Sequence, residues 1–240
     1  MTESGDRLAQ VRATIAAAAI RAGRDPSEIE LVAASKAQPP EAVAEVLEAG
    51  HALFGESRVQ EARAKIPLLP SRARWHFIGH LQKNKIRAAF PLFELFHGID
   101  SVAVASEMNR LAAEAGAFPR LLLEVNLAAE SSKFGFTPDS LLREFDTLLG
   151  FDRIAIDGLM ALPPPAPTAE GSRKYFVQLR ETRDRLSRTL GIPLPHLSMG
   201  MSTDYQVAIE EGATLVRIGT AIFGERRAKS WKPTASFDDT

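Results

Sequence analysis

The chain has 240 residues, 45% of them hydrophobic and 25% charged, which is enough apolar material for one large core rather than two small ones. Its formal net charge of −1 offers nothing that would select nucleic acid or an anionic membrane, and the absence of cysteine excludes disulfides, thiolate nucleophiles and Cys-based metal sites. No apolar stretch approaches the ~20 residues of a membrane span, and Met1-Thr2-Glu3-Ser4-Gly5-Asp6-Arg7 lacks the basic start and apolar middle of a signal peptide, so a cytoplasmic protein is expected.

An Ala-rich segment with apolar residues at helical spacing predicts a helix over roughly Arg7 to Ala22. A first strand follows over 29–35 and closes on Lys36 just before Pro39-Pro40. Pro40 to Ala49 carries Val43, Val46 and Leu47 at helical spacing, and Gly50 stops it. Strands are predicted at 51–55, 74–79 and 94–99, then a helix from Ser101 to Ala115 built on Val104, Met108 and Leu111, with Gly116 as its stop. Strands at 120–126 and 154–161 come next, followed by the stiff, extended Leu162-Pro163-Pro164-Pro165-Ala166-Pro167 loop. Tyr175 to Leu190 is a helix with Phe176, Leu179, Leu186 and Leu190 on one face, ended by Gly191. A strand at 195–199, a short helix at 204–211, a strand at 214–219 and a helical turn at Ala221-Ile222-Phe223 complete the order. Residues 1–227 are read as one domain and 228–240 as a polar tail; the basic Arg226-Arg227-Ala228-Lys229 cluster is a solvated part of that end.

Most of the eight strands are rich in Val, Ile, Leu and Phe without strict alternation, as strands buried on both faces are. Eight such strands alternating with helices predict a single (β/α)8 TIM barrel with an extra N-terminal helix. A doubly wound open sheet is the alternative; it needs a Gly-rich turn after its first strand, and Ser35-Lys36-Ala37-Gln38 is not one.

In such a barrel the chemistry gathers at the carboxyl ends of the strands. Those positions hold Lys36, Glu56-Ser57, Gly79-His80, Asp100-Ser101, Asn126, Met160, Ser198 to Ser202 and Gly219-Thr220. The first and eighth strands of a closed barrel are neighbours, so Lys36 and Gly219-Thr220 face one mouth. Gly219 lets backbone approach an anion, Thr220 adds a hydroxyl and an amide, and the turn at 221–223 aims free N–H groups outward. Ser202 is expected at the N-cap of the 204–211 helix, as a plain cap or as a further phosphate contact. Lys36 is either a surface amine or, if buried by its apolar strand, an amine that loses charge readily and forms imines. An amine opposite a phosphate cradle points to a cofactor with both an aldehyde and a phosphate, pyridoxal 5′-phosphate (PLP). His76 alternates with Trp75 and Phe77 and points either into the barrel or toward the helices. His51 and His97 read as structural, no spacing of His, Asp or Glu resembles a metal site, and Ser57 and Ser101 lack a base for a hydrolase triad.

Longer runs carry a resemblance: Leu31-Val32-Ala33-Ala34-Ser35-Lys36, Phe54-Gly55-Glu56-Ser57-Arg58-Val59-Gln60-Glu61, Trp75-His76-Phe77-Ile78-Gly79-His80-Leu81-Gln82-Lys83-Asn84-Lys85, Val125-Asn126 with Ser132-Lys133-Phe134-Gly135, Gly158-Leu159-Met160, and Leu197-Ser198-Met199-Gly200-Met201-Ser202 through Arg217-Ile218-Gly219-Thr220-Ala221-Ile222-Phe223-Gly224. Over about residues 7–227 the chain resembles the pyridoxal phosphate homeostasis proteins, single-domain relatives of the alanine racemase barrel. The resemblance implies PLP held by Lys36 as an internal aldimine, its phosphate on Ser198, Ser202, Gly219 and Thr220, its pyridine nitrogen on Arg217, and Met160 and His76 near the ring. The family has Asn where Ser57 stands; the shorter serine leaves the expected contact with the ring hydroxyl either bridged by water or lost. The family's usual Thr after the lysine is Ala37 here. The implied function is a monomeric PLP carrier or regulator without turnover, exchanging with free amino acids and apo PLP enzymes. A small fold-type III PLP enzyme such as an amino acid racemase is the alternative. It needs a second base, for which the chain offers only Tyr175, expected on a helix side remote from the mouth, and Tyr205, one turn into the helix after the seventh strand and left open as a candidate. A third reading is a Schiff-base aldolase that uses Lys36 without PLP.

Overall fold

Strands that are apolar on both faces must be covered on both sides, and in this chain they close on themselves. In the computed structural model, which describes residues 2–128, 130, 134–225 and 231, eight parallel strands form a closed barrel in chain order. They are β1 (Glu30–Ala34), β2 (Leu53–Glu56), β3 (Arg74–Phe77), β4 (Leu95–Ile99), β5 (Arg120–Glu124), β6 (Ala155–Met160), β7 (His196–Ser198) and β8 (Leu215–Ile218). Closure is made by β1 pairing with β8, with Val32 opposite Arg217 and Ala33 opposite Ile218. The predicted TIM barrel is therefore the observed one, strand for strand. Apart from Trp231, the tail expected at 228–240 lies outside the described residues, as do the Arg226-Arg227-Ala228-Lys229 cluster and Ser132-Lys133.

The helices among the described residues are α1 (Glu3–Arg21), α2 (Pro40–Glu48), α3 (Val59–Lys65), α4 (Ile86–Ala89), α5 (Val102–Ala115), α6 (Pro138–Leu149), α7 (Arg173–Leu190), α8 (Tyr205–Glu210) and α9 (Thr220–Phe223). Their ends obey local chemistry. The side chains of Thr2, Ser101 and Thr137 each accept a backbone N–H at the start of α1, α5 and α6. Gly116 and Gly191 take left-handed conformations, φ 64° and 66°, that end α5 and α7. Three helices lie where no range is predicted, one of them the four-residue α4. α6 buries Leu141, Phe145 and Leu148, and its Thr137-Pro138 start is a helix signal. α3 has only seven residues, too few for periodicity to show. None of the described helices is long and apolar enough to cross a membrane.

Two apolar layers result. Inside the barrel Val32, Leu53, Leu95, Leu122, Met160 and Leu215 pack together with Ile78. A larger layer, including Leu31, Ala33, Phe54, Phe96, Leu121 and Ile218, fills the space between strands and helices. The alternation along β1 is the one that matters for the site: Val32 belongs to the inner layer, Leu31 and Ala33 to the outer one.

The inner wall leaves no room for a side chain at Gly158. Its φ is 158°, and a Cβ there would lie 2.0 Å from the His196 carbonyl oxygen on β7. Gly158→Ala is expected to cost about 3 kcal/mol by pushing β6 from β7, which for a chain of this size lowers Tm by about 6–12 °C. A melt within a degree or two of the parent would show that the strands separate freely there.

Candidate functional site

The alternation of β1 continues past its end. Ala34 and Lys36 face the barrel mouth and Ser35 faces α3, so Lys36 lines a cleft of about 270 Å³. Its other walls are Gln38, Ile78, Leu162, Met201, Ser202, Thr203, Arg217, Gly219, Thr220 and Gly224. β1 and β8 thus bring Lys36 together with Ser202, Arg217, Gly219 and Thr220, as the strand ends predict. Of the two environments open to Lys36, the structure shows the exposed one. The lysine stands two residues beyond β1, in a turn above the barrel rim, where the apolar strand no longer covers it. A larger cleft, about 700 Å³, lies alongside between α1, α2 and the end of α9. It shares Gln38 and Gly224 but holds none of the predicted site residues.

The end of the cleft expected to take a phosphate is built by the loops after β7 and β8. The backbone N–H groups of Gly219 and Ala221 both donate to Ser202 Oγ, at 3.3 and 3.4 Å. Ser202 is therefore not the N-cap of α8. That helix begins at Tyr205 and Asp204 precedes it, its carboxylate accepting the Met201 N–H at 2.8 Å. The serine is turned instead toward the start of α9, which places its hydroxyl beside Thr220. Gly219 runs close over β1, where a Cβ would meet the Ala34 carbonyl oxygen at 3.2 Å.

Arg217 projects inward from β8 and is fixed on three acceptors. Nη1 donates to the Ser198 carbonyl at 3.0 Å and to Ser198 Oγ, and Nη2 to the Ala161 carbonyl at 3.1 Å. Burial pulls its pKa down to about 10, against the attraction of Glu124 and Asp204, so it remains a cation at neutral pH. Ser198, expected in the cradle, is instead fully buried inside the barrel. Guanidinium can only donate, so Ser198 Oγ accepts from Arg217 and is also hydrogen-bonded to His97 Nδ1 at 2.8 Å. His97 Nε2 is in turn hydrogen-bonded to His76 Nδ1 at 3.0 Å, one ring of the pair donating according to its tautomer. The hydroxyl is committed to this chain and does not line the cleft.

His76 accordingly points into the barrel, resolving the two directions open to it, but as the far end of that chain and not as a wall of the cleft. Burial lowers its pKa to about 3 and that of His97 well below the usual imidazole range; nearby Arg74, Arg120 and His196 push His76 the same way. Met160 is buried in the inner apolar layer. Ser57 follows β2, half-buried, with its backbone against Gly79, where a Cβ would come within 2.4 Å of the Ser57 carbonyl oxygen. Neither residue lines the cleft.

Sequence reasoning missed several groups. Ile78, Leu162 and Met201 supply apolar wall; only the three-dimensional meeting of separate loops marks them. Glu124 ends β5 with its pKa raised to about 7 by burial and by Asp100, opposed by Arg217. Lys65, Glu56 and Glu61 form a buried ion cluster behind the Lys36 turn. The i, i+4 spacing of Glu61 and Lys65 was the one sequence signal for it.

A family model described as Alanine racemase, N-terminal domain, matches residues 7–227. A pyridoxal phosphate homeostasis protein of Aquifex aeolicus is 43% identical over 223 residues, covering 92% of this chain and 98% of that protein. Its counterpart in Pseudomonas aeruginosa is 40% identical over 230 residues, with 94% and 97% covered. Among solved structures, PipY of Synechococcus elongatus PCC7942 with PLP bound superposes with a TM-score of 0.80 at 38% identity, over 92% of this chain and all of that one.

The buried histidines make acid sensitivity a property of the barrel interior. His76 has its folded pKa depressed below the unfolded value, so the unfolded chain takes up the proton first. Stability is whole above about 6.5 and declines as pH falls toward about 3. His76→Gln keeps an acceptor for His97 but no longer titrates, so the fall in urea midpoint between about pH 7 and pH 4.5 should shrink. Glu124 titrates identically in both chains and drops out of the comparison. Equal falls would mean that His76 is protonated within the fold.

Proposed function

The chain belongs to the alanine racemase N-terminal domain family, among its pyridoxal phosphate homeostasis proteins, and from that premise we propose that it binds PLP at the barrel mouth, carries it on Lys36, and serves cellular PLP homeostasis without turnover of its own. The observation that carries this reading is a single cleft lined at once by Lys36, Arg217, Ser202, Gly219 and Thr220.

The donor set fits the group. A primary amine stands at one side and the Ser202 and Thr220 hydroxyls at the other, suited to a phosphate, with the Gly219 and Ala221 amides on Ser202 Oγ supporting that hydroxyl as it turns to the anion. The apolar Ile78, Leu162 and Met201 suit a ring between them, and Arg217 offers it a cationic donor. When bound, PLP supplies an aldehyde that joins a primary amine reversibly with loss of water, and a ring that can withdraw electrons. Lys36 provides the amine. Ser202 and Thr220 orient the phosphate, and the Gly219 and Ala221 amides hold Ser202. Arg217 donates toward the ring nitrogen and, since it keeps its own protons, leaves that nitrogen unprotonated and the ring a weak electron sink.

The absence of turnover is supported by the two tyrosines. Tyr205 is buried, with Gly200 packed against its Cα and Cβ. Tyr175 lies on α7, beneath the Lys174 ammonium at 4.9 Å. Neither lines the cleft, so among the described residues no tyrosine stands there as the proton-accepting partner that a racemase needs on the far side of its substrate. Ser198, His76, Met160 and Ser57 act on this reading from outside the cleft, Ser198 and His76 by holding Arg217. The carrier works as a cytoplasmic monomer, and its natural acceptors are free amino acids and apo-enzymes that need PLP.

Borohydride reduction of the PLP-loaded chain, followed by peptide mapping, should put the label on Lys36; a label on Lys65 or Lys83 would refute the site. Thr220→Val should weaken PLP retention by about 1.5–3 kcal/mol, the worth of a charge-assisted hydrogen bond, with an unchanged melt. In deuterated water with L-amino acids, Cα exchange should stay far below enzymatic rates; rapid exchange abolished by Tyr205→Phe would make the chain a compact racemase.

A further inference from the structure

The two peptide groups that bracket the Lys36 Cα are both tied to one buried cluster. Ser35, Lys36, Ala37 and Gln38 form a β-turn closed by the Gln38 N–H donating to the Ser35 carbonyl at 3.0 Å. Ala37 occupies its third position with φ 64°, the one described non-glycine residue in the left-handed region. Glycine or asparagine is usual at such a position, because an alanine Cβ crowds the following carbonyl. Something outside the turn must therefore hold it.

Lys65 and Glu61 of α3 are placed to do so. Lys65 is fully buried, and its ammonium has three protons and three acceptors: Glu56 Oε1 at 2.6 Å, Glu61 Oε1 at 3.0 Å and the Ser35 carbonyl at 3.0 Å. Glu61 Oε1 accepts in addition the Ala37 N–H at 2.6 Å. Ser35 Oγ donates to Glu56 Oε1 at 2.7 Å. The carbonyl before Lys36 and the N–H after it are thus both bound to the same ion cluster, which leaves the φ and ψ of Lys36 little freedom. The Trp231 backbone N–H donates to the Ala37 carbonyl at 3.2 Å, and its ring centre lies 5.2 Å from Lys65 Nζ.

We propose that Glu61 and Lys65 are positioning residues for Lys36: by holding Ala37 in the left-handed turn they keep the lysine Cα–Cβ bond aimed into the cleft, and so set how fast the amine captures an aldehyde. The inference rests on the reading that Lys36 is the amine that carries PLP. It assigns an ion cluster that touches no cofactor a role in exchange and not only in stability.

Lys65→Met would strand two buried carboxylates and can unfold the chain, so Glu61→Ala is the principal variant, made in the full chain freed of PLP. The rate of borohydride-reducible attachment of added PLP to Lys36 reads positioning. Affinity for pyridoxine 5′-phosphate, which has the ring and phosphate but no aldehyde, reads the cradle alone. Glu61→Ala is expected to slow capture about tenfold, the cost of a left-handed alanine left unsupported, with pyridoxine 5′-phosphate affinity unchanged. Adding Ala37→Gly should restore capture to within about threefold of the parent, because glycine takes the turn without support. Parent-like capture by Glu61→Ala overturns the proposal. So does slow capture that Ala37→Gly fails to restore, which would make the cluster merely structural. If the parent itself forms no reducible bond to Lys36, the functional reading fails first.

Discussion

β1 and β8 are hydrogen-bonded neighbours from Glu30–Leu215 to Ala33–Ile218, and the cleft exists only through that pairing. It joins an amine from the start of the chain to a donor set from its end. The separation is a modest obstacle: each doubling of a closed loop costs only about 0.6 kcal/mol of entropy, whereas one well-buried leucine contributes about 1.5–3 kcal/mol. Leu31, Val32, Leu215 and Val216, all buried at this seam, outweigh it. Once the seam is closed, the alternation along each strand settles which side chains reach the mouth.

The barrel interior departs from a purely apolar filling along one line. Arg217, Ser198, His97 and His76 form a chain of donors and acceptors running inward from the cleft. Burying four polar groups is costly unless each is paired, and here every member has a partner, beginning with the guanidinium, which only donates. Both histidines are held neutral by burial. The guanidinium is in turn clamped on the Ser198 and Ala161 carbonyls. The cation in the cleft is thus rigid because the interior behind it is polar.

The lysine is held from the other layer. Ser35 and Glu56 face the helices, where Lys65 and Glu61 wait on α3. A seven-residue helix thereby links two strand ends to the turn between them. One oxygen of Glu56 is buried without a partner, which fits a cluster kept for geometry more than for net stabilisation. The mouth is supported by two separate polar systems, one inside the barrel behind Arg217 and one outside it behind Lys36.

Strand number, order and type, α1, α2, α5, α7 and α8, and the meeting of Lys36 with Gly219 and Thr220 were legible in the residues alone. Apolar periodicity, glycine stops and the carboxyl-end rule are local or topological properties that need no packing detail. α6 was legible too, from Thr137-Pro138 and its apolar spacing, but was not predicted; α3 and α4 were not legible, being too short for a period to appear. Tertiary structure alone decided the rest. Lys36 is exposed because a turn lifts it past the rim, not because its strand lacks apolar residues. Ser198 belongs to Arg217 and His97 because a strand of period two turns it inward, whereas its neighbour in the motif, Ser202, lies in the loop and reaches α9. Which hydroxyl faces an anion and which faces a guanidinium depends on where a strand ends by one or two residues, and sequence patterns are least sharp at that point.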